Sequence, residues 1–522
     1  MNFTYKTQEY LKTLNPNQRL EGTGSEDDDD DLFFEVETAL TEFNQCHYDL
    51  KEITDKVFAI ARYTAFTDGE IVKHPLFFET GTLDHLIEVI QMDSQIVETK
   101  VEAIYALSMI ADYLIDSDID MIANSPFMAK VFYIFNEVFP GEEKNDILIQ
   151  STSKILNFYI SLVRRTENSR NSFLQNVSFE NIFYFAQASY QHKQIFARFL
   201  NLLSCLCYFQ LSEEAAASAV HVIFAFLNHY GVEYWDELIR SLRLICLNSQ
   251  CPHLVAQKTE CYQKLSYAIK AGSRKTTILA LKIINIFLDK ELDVFHELEF
   301  NEICNAILSI DEKTSVTALH LIEVMVEEHS MYTEFLLRNH LLNNIKTIID
   351  DGTVLQKISA LQVIYYVAQS NHPNIKNILH NIIRKGMIGS IIELSYMDTF
   401  MIDRLVVEIL YLLVKIDYDE DIQLHVISQI NEDHESLLSE LANKYLDYVP
   451  DNDSLIFDNS EHSKFDKNEN SKFVNKIPEI IDLILERIQQ LRNQEFENFH
   501  GVQTDSDDVE TPYDEEYLQP TF

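Results

Sequence analysis

A short apolar pattern recurs along this chain at intervals of roughly 40 residues, and it constrains the fold more than any other feature. It is clearest in EAIYALSMIA around Ala103, LALKIINIFL around Ala280, TALHLIEVMV around Ala318 and SALQVIYYVA around Ala360. Each copy begins with a small or apolar pair and has further apolar pairs three and seven positions on, which places them on one helix face. One such helix cannot bury its apolar face alone, so the pattern predicts a solenoid whose units stack.

The same pattern extends to nine candidate helices. We call the first residue of each copy position 0, and it falls at Thr54, Ala103, Thr152, Phe196, Leu238, Ala280, Ala318, Ala360 and Val406. The copies at Thr54, Thr152, Phe196 and Leu238 match the pattern less closely than the others. The sequence therefore predicts an all-α, right-handed α-solenoid of about nine repeats without β-sheet. The residues expected to be buried between neighbouring repeats are Leu107, Leu281, Leu319 and Leu361.

Composition excludes several classes of function. The 522 residues include only 11 glycines and 10 prolines, too few for glycine-rich phosphate loops or the turns of a β-sandwich. The formal net charge of −42 would repel a nucleic-acid backbone, so we expect no nucleic-acid binding. No apolar run is long enough for a membrane helix, and the N-terminus lacks the apolar core of a signal peptide. We therefore expect no membrane insertion and a cytoplasmic or nuclear location.

The sequence lacks the motifs of common enzyme classes. It contains no GxxxxGK[ST], GxSxG or HExxH pattern, which would indicate a nucleotide loop, a nucleophile elbow or a zinc protease. The seven cysteines lack the CxxC spacing of zinc sites, so we expect them to be reduced and to pack as small apolar residues. The chain is thus predicted to be no enzyme, with no cofactor, no metal and no small-molecule substrate.

Charge and polarity divide the chain into five segments. Residues 1–31 form an acidic segment that is expected to be disordered, and residues 32–449 form the repeat array. Residues 450–475 are a polar linker, residues 476–499 an amphipathic helix suited to capping the array, and residues 500–522 an acidic disordered tail. The apolar stripe of the last helix is expected to contain Ile480, Ile481, Leu483, Ile484, Ile488 and Leu491. This helix could instead bind another chain.

Two stretches resemble armadillo repeats. GTLDHLIEVIQ, followed after a short turn by VETKVEAIYALSMIAD, is similar to the second and third helices of that repeat, and KGMIGSIIEL with RLVVEILYLLV matches it again. In that family a glycine breaks the chain before the second helix, a role that the resemblance gives to Gly81 and Gly386. Several units lack this glycine and are closer to the related HEAT repeat. The resemblance implies an armadillo-like fold but specifies no function.

In the armadillo family the third helices line a concave face on which extended ligands lie. Nuclear-import adaptors hold basic signals there with a ladder of tryptophan and asparagine, which would correspond to positions +2 and +6 of this pattern. In the four clearest copies those pairs are Tyr105 and Met109, Lys282 and Ile286, His320 and Val324, and Gln362 and Tyr366. The ladder is therefore absent, and so is the basic N-terminal segment of such adaptors.

Position +2 instead predicts a basic stripe along the concave face. Along the nine copies it is Lys56, Tyr105, Lys154, Arg198, Arg240, Lys282, His320, Gln362 and Glu408. The first eight are candidate partner-binding residues, since the catenin branch of the family uses a basic groove for acidic, extended peptides. The alternative is that these are unrelated solvated side chains beside an apolar face.

We therefore expect a non-catalytic protein-binding scaffold or adaptor that uses the concave face of an armadillo-like solenoid. Two alternatives stay open from the sequence. One is a divergent, importin-like nuclear-transport receptor, and the other is a regulatory subunit or assembly chaperone of a larger complex.

Overall fold

A computed structural model describes residues 26–45, 50–66, 70–79, 81–290, 292, 300–328, 341–370, 375–415, 420–446 and 473–501. These residues form 26 α-helices and three short 3-10 helices, and no strand occurs among them. The fold is therefore all-α, as predicted. No helix in these ranges combines the length and apolar character needed to cross a membrane.

The chain divides into two compact units at Leu254 and Val255. The helices that begin in unit 1 are α1 Glu26–Gln45, α2 Leu50–Phe66, α3 Pro75–Glu79, α4 Thr82–Gln91, α5 Val97–Ile110, α6 Asp116–Ile122, α7 Ser125–Val138, α8 Asp146–Val163, α9 Glu167–Asn176, α10 Phe179–Ala188, α11 Lys193–Leu206, α12 Glu213–His229, α13 Trp235–Asn248 and α14 Pro252–Ala256.

The helices of unit 2 are α15 Cys261–Ala271, α16 Arg274–Asp289, α17 Phe300–Ile307, α18 Glu312–Glu328, α19 Leu341–Asp351, α20 Val354–Gln369, α21 Ile375–Arg384, α22 Met387–Glu393, α23 Phe400–Val414, α24 Glu420–Ile427, α25 Glu432–Leu446 and α26 Ile477–Gly501. The 3-10 helices span Glu70–Lys73, Val232–Tyr234 and Leu394–Met397.

The helices that carry the apolar pattern pack in chain order within each unit. In unit 1, α2 packs on α5, α5 on α8, α8 on α11 and α11 on α13. In unit 2, α16 packs on α18, α18 on α20 and α20 on α23. We call these helices the pattern row of each unit. Helices that do not carry the pattern pack against each row, for example α4 and α7 in unit 1 and α15 and α17 in unit 2.

The residues at position 0 lie in the core. All nine are buried, Thr54 with 9% of its surface exposed and the other eight with none. The four leucines predicted to lie between repeats, Leu107, Leu281, Leu319 and Leu361, are at most 1% exposed. The burial prediction is confirmed because a spacing of three and four residues keeps these side chains on one helix face.

A glycine directly precedes two of the helices that do not carry the apolar pattern. Gly81 precedes α4 with φ 73°, and Gly386 precedes α22 with φ 71°. This left-handed conformation costs free energy for residues with a Cβ atom. A glycine break before the helix was predicted at both positions and is observed.

The chain ends differ in detail from the sequence prediction. Helix α1 begins at Glu26, so residues 26–31 are helical rather than disordered. Carboxylates in the first turn of a helix interact favourably with its dipole, which is how an acidic run can begin a helix. Residues 1–25 of the predicted acidic segment lie outside the described residues.

Helix α26 packs on α23, α24 and α25. Its buried stripe consists of Ile477, Ile481, Ile484, Ile488 and Leu491. Leu483 was predicted to belong to this stripe but is 47% exposed, because the buried residues follow an alternating spacing of four and three that excludes it. Val474, assigned to the linker, is fully buried. The rest of the linker before Phe473 and the tail after Gly501 lie outside the described residues.

Candidate protein-interaction surface

Position +2 lies on the side of each pattern helix that faces away from position 0, since two residues rotate by about 200° around the helix axis. In unit 1 this position holds Lys56 on α2, Tyr105 on α5, Lys154 on α8, Arg198 on α11 and Arg240 on α13. The first four are half-buried, and Arg240 is exposed. Position +5 shares this side and holds Asn157, Asn201 and Arg243 on the last three helices.

Lys154 joins two neighbouring helices of the row. Its Nζ atom lies 5.0 Å from the ring centroid of Tyr105 on α5, close enough for a cation–π interaction. It also pairs with the carboxylate of Glu102, one turn before Tyr105. Two predicted site residues, Tyr105 and Lys154, are thus brought together.

Arg198 extends this group to a third helix. Its guanidinium donates a hydrogen bond to Oδ1 of Asn157 on α8. Burial lowers the pKa of Arg198, and the neighbouring Tyr105 opposes this shift. Arginine remains charged at neutral pH in proteins, so a half-buried positive charge lies between α8 and α11. The contribution of Asn157 was not predicted, although it lies at position +5 of its helix.

Three arginines lie at the end of α8 and on α13, the two pattern helices that pack on α11. Arg164 follows the last residue of α8, Arg240 lies on α13, and Arg243 lies one turn beyond Arg240. Burial raises the pKa of the Cys205 thiol on α11, and both Arg164 and Arg240 oppose that rise, which places the two guanidinium groups near Cys205. We call Arg164, Arg240 and Arg243 the arginine cluster. Arg164 and Arg243 were not among the predicted site residues.

The arginine cluster is only partly neutralised by carboxylates. Arg164 donates to Asp112 at 2.7 Å, with 47% of the arginine side chain exposed. Arg240 lies 3.4 Å from Glu237 on its own helix and is 46% exposed. The Nε atom of Arg243 is buried and has no hydrogen-bond acceptor among the described residues. The cluster therefore contains one unsatisfied donor and two partly exposed guanidinium groups.

Together these residues form what we call the basic surface of unit 1. Its members are Tyr105, Lys154, Asn157, Arg164, Arg198, Arg240 and Arg243. Among the residues that the structure describes, its five basic side chains pair with three carboxylates, those of Glu102, Asp112 and Glu237. The surface thus has an excess of positive charge in a chain whose net charge is −42. Lys56 pairs with Glu42 of α1.

The corresponding side of unit 2 has a different chemistry. Lys282 on α16, His320 on α18 and Gln362 on α20 occupy position +2 and are half-buried, but their helices also present acidic and aromatic side chains. His320 Nδ1 lies 3.1 Å from the carboxylate of Glu323, and Glu408 on α23 pairs with Arg404 at 3.2 Å.

Tyr366 on α20 belongs to the same acidic and aromatic group. Burial raises its pKa, and Glu327 and Glu323 raise it further, so both carboxylates lie close to the phenol. The ring of Tyr365 lies 5.3 Å from that of Tyr366, measured between centroids. The basic character predicted for position +2 is therefore concentrated in unit 1.

Trp235 has a structural role in α13. The residue is 3% exposed, and its indole Nε1 donates to the carbonyl oxygen of Tyr230 at 3.2 Å. It is therefore not available for contact with a ligand on the basic surface.

In the ranges that the structure describes, no three His, Cys, Asp or Glu side chains form a group that could hold a metal ion. Six cysteines fall within those ranges and are free thiols: five are buried, and Cys205 is half-buried.

Comparison with known proteins gives a structural likeness only. No family model matches the chain, and no curated protein matches it. The crystal structure of an engineered protein from the Northeast Structural Genomics Consortium is similar to it, with a TM-score of 0.59 over 86% of this chain and 99% of that chain. The sequences are 11% identical, so the likeness concerns the fold alone and is consistent with an all-helical repeat.

Proposed function

We propose that this chain is a non-catalytic protein-binding scaffold, built as an armadillo-like solenoid, whose basic surface in unit 1 binds an acidic, extended segment of a partner protein. The observation that supports the proposal is the excess of positive charge on three successive pattern helices, α8, α11 and α13, of a strongly acidic chain. The nine buried residues at position 0 and the packing of the pattern rows in chain order support the repeat assignment.

The spacing of the pattern helices defines the form of ligand that fits. Packed helices lie about 8–10 Å apart, and an extended chain rises about 3.3 Å per residue. A strand that crosses α8, α11 and α13 therefore presents about every third residue to the next helix. We expect the preferred partner segment to have acidic side chains at that spacing.

The affinity of such a segment is expected to be modest. Each exposed ion pair contributes about 0.2–1 kcal/mol, and the surface already pairs with carboxylates of its own chain. Binding should therefore weaken as salt is raised, since added ions screen exposed charges.

The test is a titration of the full chain with a fluorescent peptide that has glutamate at every third position, followed by anisotropy at low and high salt. We expect Arg198→Glu with Arg240→Glu to weaken binding at least about tenfold, because each reversal replaces attraction by repulsion. The control variant is Lys144→Glu with Lys193→Glu. These two exposed lysines of unit 1 occupy neither position +2 nor position +5, so their charge reversal should leave the affinity nearly unchanged.

Equal affinity of the wild type and the Arg198 and Arg240 variant would overturn the proposal. A peptide with the same composition but adjacent glutamates tests the extended form, and it should bind more weakly than the peptide with spaced glutamates.

A further inference from the structure

The arginine cluster differs from the rest of the basic surface in its chemistry. Its three members are all arginine, whereas the other basic residues of the surface are Lys154, which pairs with Glu102, and Arg198, which donates to Asn157. A guanidinium group offers a planar fork of donors that matches two oxygens of a phosphate or carboxylate at once, whereas lysine is a point charge. The cluster is therefore suited to a compact anion with several acceptor oxygens.

The arrangement of the cluster allows two helices to contact one group. Arg164 comes from the end of α8 and Arg240 from α13, the two pattern helices that pack against α11. The end of α11, with Cys205, lies between them. Both arginine side chains are nearly half exposed, so a ligand in solution can approach each of them.

Competition with carboxylates of the chain favours phosphate over a plain carboxylate. Arg164 is occupied by Asp112, and Arg240 lies beside Glu237. A glutamate of the partner must compete with these carboxylates on equal terms, so it gains less from the two arginines than a group with more charge does. A phosphate monoester has a charge of about −1.5 to −2 and three strong acceptor oxygens, so it can compete with these carboxylates for the two partly exposed guanidinium groups.

We infer that the arginine cluster recognises a phosphorylated serine or threonine within the acidic, extended segment of the partner. This inference rests on the proposed function and narrows it, since it makes the interaction dependent on phosphorylation. Nucleic acid also presents phosphates, but the net charge of −42 disfavours a long polyanion. A short phosphorylated segment can contact the basic surface without approaching the acidic remainder of the chain.

The experiment compares three peptides that are identical except at one central position, which holds serine, phosphoserine or glutamate. Each is titrated into the full chain by fluorescence anisotropy. We expect phosphoserine to tighten binding about tenfold relative to serine, as charge-assisted hydrogen bonds allow, and glutamate to give at most a small part of that gain. Equal binding of the serine and phosphoserine peptides would overturn the inference.

Conservative variants separate recognition of phosphate from general attraction. Arg240→Lys with Arg243→Lys keeps both charges but removes the planar forks, so it should abolish most of the phosphoserine gain while the glutamate peptide binds as before. An unchanged phosphoserine gain in this variant would contradict the assignment to the cluster. Circular dichroism of each variant checks that the fold is retained.

A second variant should strengthen binding. Asp112→Asn removes the carboxylate that pairs with Arg164. We expect this variant to raise the affinity for the phosphoserine peptide a few-fold, because the peptide no longer competes with Asp112 for that arginine. The matched control is Asp116→Asn, which removes the same charge beside Arg165 and should have a smaller effect. Weaker binding in Asp112→Asn would count against the inference.

The outcomes distinguish the two proposals. If the peptide with spaced glutamates binds through Arg198 and Arg240 but phosphorylation adds nothing, the proposed function stands and the phosphate inference fails. If none of the peptides binds, the proposed function itself fails. If a single-stranded oligonucleotide binds as tightly as the phosphoserine peptide, the surface is a nucleic-acid site and the inference is wrong.

Discussion

At the scale of single residues, the same helix can hold one leucine in the core and another at the surface. Leu361 and Leu355 both lie on α20, but Leu361 is fully buried and Leu355 is 40% exposed. Leu361 follows position 0 of its copy, Ala360, whereas Leu355 precedes the copy. The apolar pattern, rather than residue type, thus determines which leucine contributes to the core.

This contrast gives a direct stability test. Leu361→Ala should lower the free energy of unfolding by about 2–5 kcal/mol, because a cavity replaces a packed side chain. Leu355→Ala removes the same atoms from a partly solvated site and should cost much less, about 1 kcal/mol at most. Urea denaturation followed by circular dichroism measures both, and similar small losses in the two variants would mean that the pattern is assigned to the wrong helix face.

The residue scale also shows which site features could be predicted. Lys154, Arg198 and Arg240 follow from position +2, because a rotation of about 100° per residue fixes the side of the helix. Asn157 and Arg243 share that side at position +5 and could have been found by the same rule. The contacts between these side chains could not be predicted. Arg198 finds its acceptor, and Lys154 its aromatic ring, on a neighbouring helix, and the packing of the helices sets the offset between them.

At the scale of secondary-structure elements, local capping determines where several helices begin. Asp311 precedes α18 and accepts hydrogen bonds from the backbone N–H of Thr314 at 2.9 Å and from its hydroxyl at 2.6 Å. Thr353 precedes α20, and its hydroxyl accepts from the backbone N–H of Gln356 in a capping box. Both side chains satisfy backbone donors that the helix itself leaves unpaired.

The two caps differ in their dependence on pH. The hydrogen bond from Thr314 is the largest cause of the lowered pKa of Asp311, with Arg274 contributing less. A lowered pKa in the folded state means that the stabilisation is present above pH 3.8, the ordinary aspartate value, and is lost as pH falls through the folded-state pKa. The cap at Thr353 does not titrate.

We expect Asp311→Ala and Thr353→Ala each to lower the free energy of unfolding by about 0.5–2 kcal/mol at neutral pH. Denaturant titrations repeated at decreasing pH should show the loss in Asp311→Ala shrinking below pH 3.8. The loss in Thr353→Ala should change less, because the capping acceptor is a neutral hydroxyl and only its bond to Glu312 involves a carboxylate. A loss at Asp311 that does not depend on pH would contradict a charged cap.

Elements at the chain ends show where sequence patterns mislead. The acidic run from Glu26 predicted a solvated, disordered segment, yet α1 begins at Glu26. In α26 the apolar residues suggested one broad stripe, but packing on α23, α24 and α25 buries a narrower one and leaves Leu483 exposed. Composition indicates that a segment is polar or apolar; neighbouring helices decide which side chains are covered.

At the scale of the whole molecule, the all-α class follows from the low glycine content and the recurring helical pattern, and it is confirmed by the described residues. The nine-repeat count and the right-handed superhelix remain predictions. The difference in charge between the two pattern rows could have been read from the sequence, since position +5 holds Arg243 in α13 but Glu323 in α18. Which helices are neighbours, and therefore which side chains meet, required the structure.

If the basic surface of unit 1 binds an acidic, extended segment as proposed, a bound peptide must lie against α8, α11 and α13, and its position can be mapped. The spaced-glutamate peptide, with a photoreactive group between two glutamates, would be bound to the full chain, cross-linked and mapped by mass spectrometry. We expect cross-links on α8, α11 and α13 that disappear in Arg198→Glu with Arg240→Glu. Cross-links confined to α4, α7, α10 and α12, which are not part of the pattern row, or to unit 2 would contradict the proposed function.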